Sequence, residues 1–180
     1  MRDRPNDLRV TKTIQAIRAA FEAMVCERDY ADITVKELCE RALGNKKTFY
    51  RYYETLDFLL AEFRDEMMAD YLARVDGLRI PDDLAAITRS FFDFAEERGE
   101  VFERITCAGP YEGLRAQMTD AVMARHDGEA PEDPARSILM AFVTEGTLAI
   151  YRRWVADGRL LSRDEVADLA SKLLCEGAMA

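Results

Sequence analysis

Residues 31–60 read ADITVKELCERALGNKKTFYRYYETLDFLL, and the punctuation of this stretch decides the fold. Thr34 stands three residues before Glu37, the spacing of a capping box, and opens a helix through VKELCERAL. Val35, Leu38 and Ala42 share one side of that helix and face a core, while Lys36, Glu40 and Arg41 stay wetter. Gly44 tolerates the positive φ that ends a helix, so the turn is placed there. Asn45 then caps a second helix, KKTFYRYY, in which Phe49 and Tyr53 pack inward and Lys46, Tyr50 and Arg51 project outward.

Charge singles out the same stretch. From Arg41 to Tyr53 there are four bases (Arg41, Lys46, Lys47, Arg51) and no acid, interleaved with Phe49, Tyr50, Tyr52 and Tyr53, in a chain of net charge −9. Lysine in a first helical turn opposes the helix dipole at a cost of about 0.3–1 kcal/mol, so its presence there implies a use outside the helix. Basic side chains attract phosphates, and phenol hydroxyls donate to phosphate oxygens. Residues 1–54 hold 11 basic and 9 acidic side chains, a net of +2; the remainder holds 14 and 25, a net of −11. The overall acidity argues against a nonspecific DNA coater, but not against a sequence-specific reader with a local basic face.

At these residues the chain resembles the TetR family of transcriptional regulators. The resemblance runs from about Thr11 to Phe63: an amphipathic first helix, ITVKELCERA, a short turn, NKKTFYRYY, and a fourth helix starting at TLDFLL. It implies an all-α homodimer, with a three-helix helix-turn-helix domain over residues 1–54 and a larger helical effector-binding and dimerisation domain over 55–180. Carried over residue by residue, it places Lys36 near a base or phosphate and Asn45, Lys46 and Lys47 where base edges are read. Thr48, Tyr50 and Tyr52 fall at phosphate-binding positions; Thr34 and Arg51 complete the expected DNA-binding set. Two departures stand out. Leu56 replaces a lysine usual at the start of the fourth helix, and Leu43 occupies the usual turn glycine, with Gly44 at the following apolar position.

Helical periodicity continues through the chain. Ile14, Ile17, Phe21 and Met24 form a stripe on the first helix; Leu56, Leu59, Leu60, Phe63, Met67 and Tyr71 form another from Thr55 to about Val75. Gly77 and Pro81 punctuate the join to a helix bearing Leu84, Ile87, Phe91, Phe94 and Ala95; Gly99 breaks that pattern, and Gly109–Pro110 breaks it again. YEGLRAQMTDAVMARH is a further helix, and DGEAPEDP a loop. From Ala135 to Ala156 the chain is apolar around most of a helix's girth, which requires burial on all sides. Ser162 and Glu165 form a second capping box, opening a helix with Val166, Leu169, Ala170, Leu173 and Leu174 on one face. These last two helices are expected to pair with their copies in a homodimer. A two-fold dimer then sets two reading helices about one DNA turn apart (~34–36 Å), or a multiple of it, on a palindromic double-stranded operator.

The expected function is a repressor released by an unknown small-molecule effector. Phe91, Phe94, Phe102, Met118 and Met140 are candidates to line its cavity. Glu145, a carboxylate inside an apolar helix, is placed either to meet a cationic ligand or to pair with an arginine such as Arg152 or Arg153. The competing class is a TetR-shaped interaction subunit that binds another regulator and no longer touches DNA, for which Leu56 is the foothold. No cofactor, metal site or catalytic motif is expected; Glu96, Glu97, Glu100 and Glu103 read as a wet helix face. No apolar run approaches the roughly 20 residues of a membrane span, the N-terminus lacks the apolar core of a secretory signal, and Cys26, Cys39, Cys107 and Cys175 read as buried free thiols of a cytoplasmic protein.

Overall fold

The computed structural model describes residues 5–127 and 134–178, and its described residues form eight α-helices and no strand. They are α1 (Pro5–Glu27), α2 (Val35–Arg41), α3 (Lys46–Phe49), α4 (Leu56–Arg74), α5 (Leu84–Cys107), α6 (Glu112–Asp127), α7 (Pro134–Ala156) and α8 (Arg163–Ala178). The expected loop DGEAPEDP lies, apart from its first and last residues, outside the described residues. Two compact units divide the chain at Met1–Asp65 and Glu66–Ala180. No described helix is long and apolar enough to cross a membrane.

In the first unit, Ile17, Phe21, Met24 and Val25 of α1, Leu38 and Cys39 of α2, Phe49 of α3, and Leu59 and Phe63 of α4 are all buried, and α2 packs against α1 and α3. The Phe21 ring stands edge-on to Phe63 at 6.3 Å and to Tyr30 at 6.4 Å. A helix as short as α3 has no stability of its own. Its direction is set by the fully buried Phe49 and by Tyr53, whose rings meet at 5.6 Å. Burying one such ring contributes about 1.5–3 kcal/mol.

The α2–α3 turn departs from expectation. Leu43, not Gly44, takes the positive φ, at 51°. Its N–H donates to the Glu40 carbonyl at 3.2 Å, and the Gly44 N–H donates to the Cys39 carbonyl at 2.8 Å. Together these bonds form a Schellman ending with leucine in the place glycine usually holds. The turn has therefore not slipped by a residue; Leu43, 96% exposed, carries the strain. α7 ends the same way with the usual residue, Gly158 at φ 74. The second helix of the pair is also shorter than KKTFYRYY. Beyond Phe49 the bonds Arg51 N–H to Thr48 and Tyr52 N–H to Phe49 tighten the chain into 3₁₀ geometry.

In the second unit, α8 packs against α5 and α7. An apolar cluster joins Val75, Ile80, Leu84, Ile87, Met140, Val143 and Leu174. α5 breaks at Gly99 (φ 58, ψ −137), a backbone state that residues with a Cβ rarely adopt. Across the break the rings of Phe94 and Phe102 meet at 5.4 Å. Ser162 and Glu165 cap α8 reciprocally: the Glu165 N–H donates to Ser162 Oγ at 3.3 Å, and the Ser162 N–H donates to Glu165 Oε2 at 2.8 Å. α7 and α8 approach closely at two glycines. A Cβ at Gly146 would stand 2.9 Å from Leu174 Cδ2, and one at Gly177 would stand 2.9 Å from Phe142 Cζ.

The apolar girth of α7 is not wholly buried in the chain. Met140, Val143 and Tyr151 are, whereas Ile138 is 72% and Phe142 47% exposed. On α8 the expected single face divides: Val166, Ala170 and Leu174 point inward, and Leu169 and Leu173 remain about half exposed. Four residues advance a helix by slightly more than one turn, so neighbouring i, i+4 rows can split between two surfaces.

Candidate nucleic-acid interface and body cavity

The capping box at α2 forms as its spacing requires. The Glu37 N–H donates to Thr34 Oγ1 at 3.3 Å, and the Thr34 hydroxyl donates to Glu37 Oε2 at 2.7 Å. That hydrogen bond, then Arg28, holds the Glu37 carboxyl below its ordinary value. At α3 the Asn45 Oδ1 accepts from the Thr48 N–H at 2.8 Å and from the Thr48 hydroxyl at 3.1 Å. Thr34 and Thr48 therefore spend their hydroxyl protons inside the fold, and each offers an outside group only its remaining lone pairs. The Asn45 amino group keeps its donors.

Lys46, Lys47, Tyr50 and Arg51 are exposed, and Tyr52 is half-buried beneath the Arg51 guanidinium, 6.0 Å from the ring centre. Tyr50, 56% exposed, stands edge-on to Phe49 at 5.4 Å. Tyr53 faces the other way. Its hydroxyl donates to Glu62 at 3.2 Å, and burial followed by that carboxylate pushes its pKa up to about 12. Lys36 is exposed and lies 4.0 Å from Glu40. Leu56 is half-buried.

Two features of this face were not visible in the sequence. Arg41, one of the bases in the acid-free run, is gripped by Glu27 of α1 through two bonds of 2.5 Å, which lower the Glu27 carboxyl below its ordinary value. Its charge is thus matched by an acid fourteen residues upstream. Conversely, a cleft of about 610 Å³ brings exposed Arg9 and Lys12 of α1 beside Leu43, Gly44, Asn45 and Thr48. Their only advance signal was basic character on the polar side of α1.

The body holds a partly open cavity of about 80 Å³. Phe91, Phe94, Phe102, Met118 and Met140 all line it, as placed from the sequence. Glu145 does not. It is exposed on α7, so the burial that made it a ligand candidate is absent, because 145 falls on the outward side of the helix from Met140, Val143 and Thr147. Sequence reasoning missed the polar groups of the wall, which come from Tyr71, Arg115 and the threonines Thr88, Thr106, Thr119, Thr144 and Thr147. Burial pushes the Tyr71 phenol far above its ordinary range. Arg115 Nη1 donates to the carbonyls of Ile105 and Ala108, at 3.1 and 2.6 Å, holding the end of α5.

Three of the four glutamates of α5 are engaged in ion pairs rather than gathered in a site: Glu96 with Arg163, Glu97 with Arg74 and Glu103 with Arg159. The cysteines are free, but only Cys39 is buried, and Cys107 is exposed, against the expectation for it. Burial around its sulfur, then Glu103, raises the Cys107 thiol above its ordinary value, which disfavours the reactive thiolate.

A three-helix head carrying a capped helix-turn-helix, followed by a helical body with a cavity, defines the class of fold. No protein-family model matches the chain, and no curated protein matches it in sequence. Solved structures do match. A TetR transcriptional regulator from Streptococcus agalactiae 2603V is similar at TM-score 0.70 and 18% identity, over 94% of this chain and 97% of that one. A TetR family protein from Vibrio parahaemolyticus is similar at TM-score 0.53 and 19% identity, over 90% and 96%. The chain has the all-helical fold of TetR transcriptional regulators.

Proposed function

We propose that the chain is a TetR-like transcriptional repressor of the cytoplasm, not an enzyme, binding a palindromic operator as a homodimer and released by a small effector. The observation that supports this most is the exposure of Lys46, Lys47, Tyr50 and Arg51 on a short helix whose opposite side is anchored by Phe49 and Tyr53. Such a helix is held rigidly while its cations and phenol point away from the core, the arrangement needed to enter a major groove. Lys46, Lys47 and the Asn45 amino group are assigned to base edges. Tyr50, Arg51, Tyr52 and Lys36 are assigned to phosphates, together with Arg9 and Lys12; Thr34 and Thr48 act chiefly as caps. Ile138, Phe142, Leu169 and Leu173 are assigned to the pairing of two copies through α7 and α8.

The competing reading, an interaction subunit that no longer touches DNA, draws support from Leu56 and from the neutralisation of Arg41 by Glu27. Binding to the DNA upstream of the chain's own gene, measured across a salt series, separates the two. Each phosphate contact contributes about 0.9 to the slope of log K against log salt. Lysines that neutralise phosphates make Lys12→Ala with Lys36→Ala lower that slope by about 2. An unchanged slope and affinity would remove these lysines from the interface. Absence of any DNA affinity at low salt, with a second regulator co-purifying, would favour the interaction subunit.

A further inference from the structure

We propose that the body cavity takes a small, uncharged, largely apolar molecule whose single oxygen is hydrogen bonded by Thr88. The inference rests on the reading of the body as the effector-binding half and names the chemistry of the effector.

Thr88 lies on α5, is 1% exposed and lines the cavity, and its Oγ1 has no hydrogen-bond partner. A buried helical threonine normally returns its hydroxyl to the carbonyl four residues back. Two neighbours in this body do so: Thr147 to Val143 and Ser171 to Ala167, both at 2.7 Å. Thr88 forgoes that bond. An unpaired buried hydroxyl destabilises a fold, and a native protein retains one where something else completes it.

The rest of the wall limits what that can be. Arg115 is its only charged side chain among the described residues, and no carboxylate lines it. A cation would enter with nothing to neutralise it and with a guanidinium nearby. A carboxylate would meet a guanidinium whose Nη1 is already spent on two carbonyls, and would lose its hydration against phenylalanine and methionine. A neutral oxygen loses least and satisfies Thr88. Size narrows the class further. An apolar cavity of about 150 Å³ holds benzene, so 80 Å³ suits a molecule smaller than benzene. Met118 and Met140 leave the wall adaptable.

The test uses the full chain labelled at the methionine methyls, titrated with 1-butanol, butanoate and butylammonium, three probes of one shape and different charge. Met118 and Met140 report occupancy of the cavity itself. The expected result is saturable binding of 1-butanol, tighter than butanoate and with butylammonium not binding. Thr88→Val should weaken butanol about 3- to 10-fold, the range of one hydrogen bond, while Thr88→Ser restores it. Removing an unpaired hydroxyl leaves the unliganded fold at least as stable, so unfolding of Thr88→Val checks that lost binding is not lost structure. Equal binding by butylammonium, tighter binding by butanoate, indifference to Thr88→Val, or no butanol binding at these methyls would each overturn the proposal. Retention on operator DNA is measured separately, so failure here leaves the DNA-binding reading standing, and butanol binding without DNA affinity would defeat only that reading.

Discussion

Leu43 and Gly44 offer a test in which two neighbouring substitutions carry signs opposite to those a glycine turn implies. A side chain held at φ 51 costs about 1–2 kcal/mol, and glycine relieves it. Glycine returns about 0.5–1 kcal/mol of that as extra freedom in the unfolded chain. Leu43 is 96% exposed, so its removal forfeits no packing. Leu43→Gly should therefore stabilise the first unit by about 0.5–1 kcal/mol. Gly44 is not at positive φ, and a Cβ there would stand 3.9 Å from the Cys39 carbonyl oxygen, an ordinary contact. Gly44→Ala should therefore also stabilise, by about 0.4–1 kcal/mol through the unfolded state. Hydrogen exchange at the amides of Leu38, Cys39 and Phe49 reports on the α2–α3 region directly, and urea unfolding of the full chain gives the global counterpart. Were the turn centred on Gly44, Gly44→Ala would destabilise by more than about 1 kcal/mol and Leu43→Gly would bring no gain. That pair of results would refute the assignment.

Two further perturbations test other parts of the molecule. Ile138→Asp with Leu173→Asp places charge on the exposed apolar strip of α7 and α8, where it leaves the folded chain within about 0.5 kcal/mol but opposes burial beneath a second copy. Sedimentation should show dimers of wild type and monomers of the variant; a variant that stays dimeric would move the interface elsewhere. Acid should weaken the fold through Glu27, Glu37 and Glu165, whose carboxyls lie below the ordinary value of 4.5, the first chiefly through Arg41 and the others through Thr34 and Ser162. A depressed carboxyl stabilises the fold above about 4.5, and that contribution is lost as pH falls through the depressed value. The urea midpoint should fall between pH 5 and 3, less steeply in Glu37→Gln, and a flat midpoint over that range would count against these bonds.

The parts of the fold that were legible in the sequence are those decided within one turn of chain. Thr34–Glu37 and Ser162–Glu165 cap their helices because a hydroxyl and a carboxylate three residues apart reach each other's backbone N–H without help from elsewhere. Phe49 and Tyr53 packed inward on helical spacing alone. The misread features depend on distant chain. Arg41 lost its free charge to α1, and Glu145 stayed exposed because the body buries the other side of α7. Leu43 is the exception, since the bonds that hold it in a glycine's conformation, from Leu43 to Glu40 and from Gly44 to Cys39, are local. The cavity was half legible: its aromatic and methionine wall follows from apolar spacing, but the unpaired hydroxyl of Thr88 is notable only once its neighbours' bonds are known.

The close approach at Gly146 and Gly177 reaches beyond the packing of one chain. Leu174 sits against the bare backbone of α7, and the Phe142 ring sits against that of α8, so each helix holds a key cut for the other. Neither can slide or roll without driving a side chain into main-chain atoms. The greasy patch that spans them is therefore a single stiff plate rather than two loose rods, and whatever comes to rest on it finds its shape already set, with little motion left to surrender.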